Sequence, residues 1–144
     1  SGKMIWSSAV QDYEIALRVD RLHYFAHWVT PVGEPKRFST RFVAAQMPDG
    51  QVAAHDGTEL TDCRWVTAAD ALASYHAGDL PLIYPTYVTM KELDRFDSAA
   101  EIVDWAAERC RDGVDVLKPA IVNVDGRDEI VFPGDPAYPD ELHA

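Results

Sequence analysis

The sequence predicts an α+β fold with a mixed or mostly antiparallel sheet, and three observations carry that expectation. Strand-like segments come first, helical periodicity fills the middle and a short hairpin pattern closes the chain, so strands and helices do not alternate as βαβ units would. The 144 residues suit one core, because chains of this size bury their apolar residues in a single cluster. An apolar content of 47% beside 26% charged residues is that of a chain able to offset the entropy of ordering, not of a disordered segment.

The elements follow in order. Residues 1–21 are the least patterned: a linker, or one amphipathic helix over Val10–Val19. Leu22 to Val29 is aromatic-rich and stops at Thr30-Pro31, where proline removes a donor and keeps the preceding residue extended; this predicts a strand. Val32-Gly33-Glu34-Pro35 turns the chain. Arg37 to Met47 then alternates, with Phe38, Thr40, Phe42 and Ala44 on one side and Arg37, Ser39 and Arg41 on the other, a strand with an apolar and a basic face. Pro48-Asp49-Gly50 is a turn signal, after which Gln51–Ala54 is expected to return as the partner strand of a hairpin. Cys63-Arg64-Trp65-Val66 is expected as a further short strand.

Helical signals take over at Thr67. Its hydroxyl can cap a helix whose third position is Asp70, with Ala68, Ala71, Leu72 and Tyr75 as the apolar stripe and Gly78 as the stop. A second helix is expected from Thr86, with Tyr87, Met90, Leu93 and Phe96 on one face. Ser98-Ala99-Ala100-Glu101 is a capping box opening a third, which Asp112-Gly113 ends. Ala120–Val124, a turn at Asp125-Gly126, and Glu129–Phe132 form the closing hairpin. The expected division is therefore a linker or helix over 1–21, a folded unit over 22–136 and a tail over 137–144.

Charge narrows the partners. Thirteen Lys and Arg against twenty-four Asp and Glu give a net charge of −11, a mean field that repels nucleic acid and anionic lipid. An anionic small molecule needs a local basic cluster or a bound cation to overcome that field. No stretch reaches the roughly 20 apolar residues of a membrane span, and no secretory leader is visible. Two distant cysteines, Cys63 and Cys110, give neither a zinc motif nor a disulfide framework, so a reducing cytoplasm is the expected compartment and packing the expected role of both.

His27-Trp28-Val29-Thr30-Pro31, then Arg37-Phe38-Ser39-Thr40-Arg41-Phe42, then Glu59 followed by Arg64-Trp65-Val66 and Ala71-Leu72, form an ordered set that resembles the second half of a Nudix hydrolase of the coenzyme A diphosphatase group. Tyr84-Pro85-Thr86 and Pro133-Gly134-Asp135 fit the same group, so the resemblance covers about residues 22–136. It implies part of an α/β/α sandwich, extended by a helix pair and a hairpin. The family's defining element, G-x5-E-x7-R-E-x2-E-E-x-G, is absent: the glutamates are Glu14, Glu34, Glu59, Glu92, Glu101, Glu108, Glu129 and Glu141, no two adjacent, and no Arg-Glu dipeptide occurs. In the family that box gathers Mg²⁺ or Mn²⁺ to neutralise the diphosphate and activate water, and it precedes the Trp-x-Thr-Pro strand. The resemblance thus implies a fragment, one half of a split protein, or a degenerate member.

Arg37 and Arg41 are the candidate substrate-binding residues. They stand four apart on one strand face, roughly 13 Å at about 3.3 Å per residue, and guanidinium groups clamp phosphate oxygens well; a solvated, salt-bridged face is the competing reading. The family has aspartate where Ser39 stands. His55, Asp56 and Glu59 cluster in one loop as metal ligands or a general base, or simply as a polar turn. Glu59 is the candidate catalytic residue, because a later loop supplies an auxiliary acid in some Nudix enzymes. No metal ligands are identifiable otherwise. His23 and His27 are expected on one strand face, too far apart to share an ion and better placed as packed aromatics. Phe25, Trp28, Phe38, Phe42 and Trp65 are expected as core rather than as an acyl or nucleobase pocket.

Two functions follow. One is the C-terminal portion of a Nudix-type hydrolase of a nucleoside diphosphate linked to another moiety, such as a coenzyme A derivative. The other is a catalytically silent Nudix-like module that binds a ligand or a partner. In either case an unfinished sheet is expected to associate, with a second copy or with a chain that carries the box.

Overall fold

The computed structural model describes residues 6–14, 16, 18–58, 62–139 and 142. It is an α+β structure. Helix α1 (Trp6–Asp12) and a single 3-10 turn (Val19–Arg21) precede strands β1 (His23–Val29) and β2 (Ser39–Ala44). Helices α2 (Ala68–Ala77), α3 (Tyr84–Leu93) and α4 (Ala99–Asp112) follow, then β3 (Val116–Leu117), β4 (Ala120–Val124) and β5 (Arg127–Val131). No helix among the described residues is long and apolar enough to cross a membrane.

The first sheet has the order β2-β1-β3. β2 runs antiparallel to β1, from His23 opposite Ala44 to Val29 opposite Ser39, while β3 lies parallel to β1 through His27 with Val116 and Trp28 with Leu117. The pairing shifts between Tyr24 and Ala26, leaving Phe25 as an extra residue. Such a bulge flips the side-chain alternation beyond it. His23 therefore pairs with Ala44 on the apolar face, and His27 with Arg41 on the other. The expectation that the two histidines share a face is corrected by that bulge.

Thr30 ties the end of β1 to the start of β2. Its N–H donates to the Phe38 carbonyl at 2.9 Å, its hydroxyl oxygen accepts from the Phe38 N–H at 3.0 Å, and its carbonyl accepts from Arg37 Nε at 3.1 Å. These bonds close the loop through Pro31 and Gly33 and satisfy backbone groups that proline cannot serve.

Helix α2 keeps its expected limits. Thr67 Oγ1 accepts from the Asp70 N–H at 3.0 Å, and Gly78, at φ 82°, donates to the Ser74 and Tyr75 carbonyls, the left-handed stop that glycine adopts without a Cβ clash. α4 begins at its cap too: Ser98 Oγ accepts from the Glu101 N–H at 3.2 Å. The return bond goes one residue further out than in a simple capping box, with Glu101 Oε2 accepting from the Asp97 N–H at 3.0 Å. α3 starts two residues earlier than expected, at Tyr84, because Pro85 fits the first turn, where its fixed φ is helical and its missing N–H has no partner to lose. In the β4–β5 hairpin Asp125 and Gly126 both have positive φ, 51° and 83°, the geometry a two-residue turn needs. Asn123 holds it, accepting from the Gly126 N–H and donating to Asp128, each at 3.0 Å.

Three further expectations are corrected. Gln51–Ala54 and Cys63–Val66 form no strands: neither segment pairs with a strand among the described residues, and an extended segment without a neighbour gains no ladder. Val52 is 90% exposed and Trp65 76%, so Trp65 is not core. Near the beginning, α1 ends at Asp12 and Glu14 takes a positive φ, so a helix over Val10–Val19 does not form.

The core lies on the Ala44 side of the first sheet. Phe25, Ala26, Trp28 and Ala106 are buried, with Phe42, Val88, Trp105, Leu117 and Phe132 packed around them. Trp105 of α4 stacks near Phe25 and Phe96, with centroids 5.2 and 5.3 Å away. The guanidiniums of Arg95 and Arg109 lie over the same ring at 5.1 and 5.3 Å, and Glu92 lies 3.8 Å from Arg95 and 3.5 Å from Arg109. Burying Phe25 contributes about 2–3 kcal/mol. A second, separate cluster joins Ala120, Val131 and Tyr138. The molecule nevertheless exposes 11126 Å², where a compact monomer of 16.1 kDa exposes about 7,400 Å².

Candidate functional site

Trp28 organises a large concavity. It is 4% exposed, and the rings of Tyr84 and Phe132 meet it edge-on at 6.0 and 5.9 Å, so β1, the start of α3 and the chain just after β5 converge on one indole. Above it opens a cavity of about 740 Å³ whose apolar walls are Trp28, Phe38, Phe42, Ile83, Tyr84, Ile121 and Ile130, with Glu34 and Lys36 also at its lining. The volume is that of a small-molecule site. Phe42 packs against the core and also walls the cavity, whereas Phe38, 55% exposed, is cavity wall and not core, which corrects the expectation that it is core. Lys36 Nζ lies 5.0 Å from the centroid of the Phe38 ring.

A second cavity of about 220 Å³ adjoins the first, sharing Thr30, Pro31 and Pro119 with it. Val32, Arg37, Lys118, Tyr138 and Leu142 complete its lining. Tyr138 donates its hydroxyl hydrogen to the Lys118 carbonyl at 2.8 Å, which fixes the segment leading into β4. Arg37 is held at Nε by the Thr30 carbonyl. Neither cation makes an ion pair among the described residues.

Arg41 is placed elsewhere. It lies within β2 opposite His27, on the face turned away from the apolar side, exposed and without a side-chain hydrogen bond or ion pair among the described residues. On the same face His27 Nε2 and Ser39 Oγ are 2.7 Å apart. The two candidate arginines are therefore not brought together: Arg37 precedes the strand and enters the smaller cavity, while Arg41 stands on an open sheet face.

Glu59 lies outside the described residues. Of its loop neighbours, Asp56 caps its own turn, accepting from the Thr58 N–H at 3.0 Å and the Thr58 hydroxyl at 2.9 Å, and His55 is exposed. Among the described residues no three His, Cys, Asp or Glu side chains converge on a point that could hold a metal ion. Cys63 and Cys110 are both exposed thiols, which corrects the expectation that they are packed. Two carboxyls are held below their usual range, Asp20 at about 2 by the hydrogen bond from Arg18 and Asp62 by the one from Arg64. Both are surface pairs lining neither cavity.

No family model and no solved structure matches the chain. Two curated proteins do. The acyl-coenzyme A diphosphatase NUDT19 of Xenopus laevis is 24% identical over 124 residues, covering 83% of this chain and 33% of its own length. The human acyl-coenzyme A diphosphatase NUDT19 is 25% identical over 120 residues, 81% of this chain and 32% of its own. The chain spans about a third of the length of the curated relatives it matches, and the similarity supports a relationship to the Nudix family.

Sequence reasoning missed Lys118 and the cavities. Lys118-Pro119 carries no periodic signal, and both concavities draw on residues far apart in the chain. Thr30 was legible only as a strand end; its three bonds show what the threonine does there.

Proposed function

We propose that the chain is the C-terminal portion of a Nudix-type hydrolase acting on a nucleoside diphosphate linked to another moiety, an acyl-coenzyme A by analogy with the relatives, and that the metal-binding box lies outside this chain. The observation that supports it is the similarity over four fifths of this chain to only a third of two acyl-coenzyme A diphosphatases. The described residues do not offer Mg²⁺ or Mn²⁺ a ligand set, so no step is assigned to a metal here. In this reading the ion and its carboxylates belong to the box segment, where the ion would neutralise the diphosphate. This chain supplies the sheet, an apolar wall and arginines: Arg41 meets a phosphate oxygen from the open face of β2, and Arg37 does so beside Thr30. Glu59 is kept as a candidate auxiliary acid.

The test is reconstitution. With millimolar Mg²⁺ or Mn²⁺ the 144-residue chain alone is expected to leave ADP-ribose, NADH and acyl-coenzyme A intact, and joined to a box-bearing Nudix segment it is expected to hydrolyse an acyl-coenzyme A. A metal-dependent rate from the chain alone, abolished by Glu59→Gln, overturns the division of labour. Folded but inactive fusions favour the second reading, a silent ligand-binding module, which the preformed cavity of about 740 Å³ supports.

A further inference from the structure

The two adjoining cavities differ in chemistry in a way that suits the two ends of one molecule. The larger is walled by aromatic and aliphatic side chains, with Ile83 and Phe38 open to solvent at 72% and 55% exposure. A nucleobase would need converging hydrogen-bond partners there, yet the polar side chains of the lining are Glu34 and Lys36, both exposed, with Tyr84 and three threonines, and the Thr30 hydroxyl already accepts from Phe38. A chain without polar atoms needs none. The smaller cavity brings Arg37 and Lys118 to one place, in a molecule of net charge −11 where acidic partners are abundant, and neither cation has one among the described residues. Nε of Arg37 is occupied by the Thr30 carbonyl, which orients the guanidinium and leaves its terminal nitrogens for an anion. Shared walls at Thr30, Pro31 and Pro119 make the two spaces immediate neighbours.

We propose that together they form one site for a single-chain amphiphile with an anionic head: the aliphatic chain lies in the larger cavity, and a carboxylate or phosphate monoester lies between Arg37 and Lys118. The site shares Arg37 with the hydrolase reading, but it needs no hydrolysis and stands equally for a silent module.

The experiment is calorimetric titration of the full 144-residue chain with dodecyl phosphate, dodecanoate, dodecanol and inorganic phosphate, each below its aggregation concentration. At least one of the two anionic amphiphiles is expected to bind at micromolar concentration, dodecanol at least tenfold more weakly, and inorganic phosphate only at millimolar concentration; which anion binds more tightly identifies the head. Arg37→Glu and Lys118→Glu should each weaken the anionic ligand tenfold and leave dodecanol unchanged. Ile83→Arg, at an exposed position and with the far-ultraviolet circular dichroism compared with the parent to check the fold, should weaken every chain-bearing ligand. Equal binding of dodecanol and the anions, or indifference to both charge reversals, overturns the assigned head, and no binding of any amphiphile overturns the site. Self-association abolished by Ile83→Arg, without amphiphile binding, gives the cavity to a second copy and likewise overturns it. Binding by a chain that stays inactive when fused to the box segment keeps this inference and removes the hydrolase reading; hydrolysis without dodecyl phosphate or dodecanoate binding does the reverse.

Discussion

Arg41 is the residue whose surroundings most ask for a ligand or a partner. Its β2 neighbours on the same face are Ser39 and Val43, its cross-strand neighbour is His27, and His27 is engaged with Ser39 at 2.7 Å. No carboxylate among the described residues compensates it, and in an acidic chain an uncompensated exposed guanidinium contributes nothing measurable to stability. Arg41→Ala is therefore expected to leave the unfolding midpoint within about 0.5 kcal/mol of the parent. In a fusion carrying the box, it should raise KM or lower kcat at least tenfold. An unchanged rate with lowered thermal stability would place Arg41 in the structural class instead. The alternation that puts Arg41 opposite Phe42 was visible in the sequence, because period two is a local property. Which histidine faces it was not: the bulge at Phe25 reverses the alternation along β1, and a seven-residue aromatic strand carries no local mark of where its extra residue lies.

At the level of elements, those closed by short-range chemistry were legible and those closed by distant partners were not. α2 and α4 stop and start at Thr67, Gly78, Ser98 and Gly113, each a cap acting within four residues, and Asp125-Gly126 turns the last hairpin by its own positive φ values. Strands over Gln51–Ala54 and Cys63–Val66 had suitable composition but join no ladder among the described residues, whereas β3 has only two residues and exists because β1 lies beside it. The cavities were illegible for the same reason, since Trp28, Phe38, Ile83 and Ile130 meet only once the fold is formed. Local closure also makes a prediction. Ser98 serves the free amide of Glu101, and Glu101 serves that of Asp97, so Ser98→Ala is expected to cost about 1 kcal/mol and Ser98→Gly a few tenths. Urea unfolding followed by circular dichroism measures both. No loss in Ser98→Ala would show that the hydroxyl is not the capping group.

Across the whole molecule, surface area is the quantity out of balance. The chain exposes about 3,700 Å² more than a compact monomer of its mass, whereas a standard interface removes about 800 Å² from each partner and obligate ones two or three times that. Part of the excess is the extended stretch around Val52 and Trp65; part is the sheet, where α4 covers one face and β2 has a single neighbour. An open strand edge together with exposed Phe38 and Val43 is the kind of surface that invites pairing with another chain, and association is the expected outcome. The expected occupant is the segment that fills the remaining two thirds of the relatives' length, or a second copy when that segment is withheld. Multi-angle light scattering of the isolated chain at micromolar concentration should then give a mass above 16.1 kDa, and fusion to a box-bearing segment should restore a monomer that unfolds in one cooperative step. Val43→Lys, which sets a charge on the exposed edge strand, should shift the isolated chain toward the monomer. A monodisperse species of about 16 kDa that unfolds cooperatively by itself would sink the association, because a self-sufficient core would then have formed from the residues that leave 11126 Å² in water.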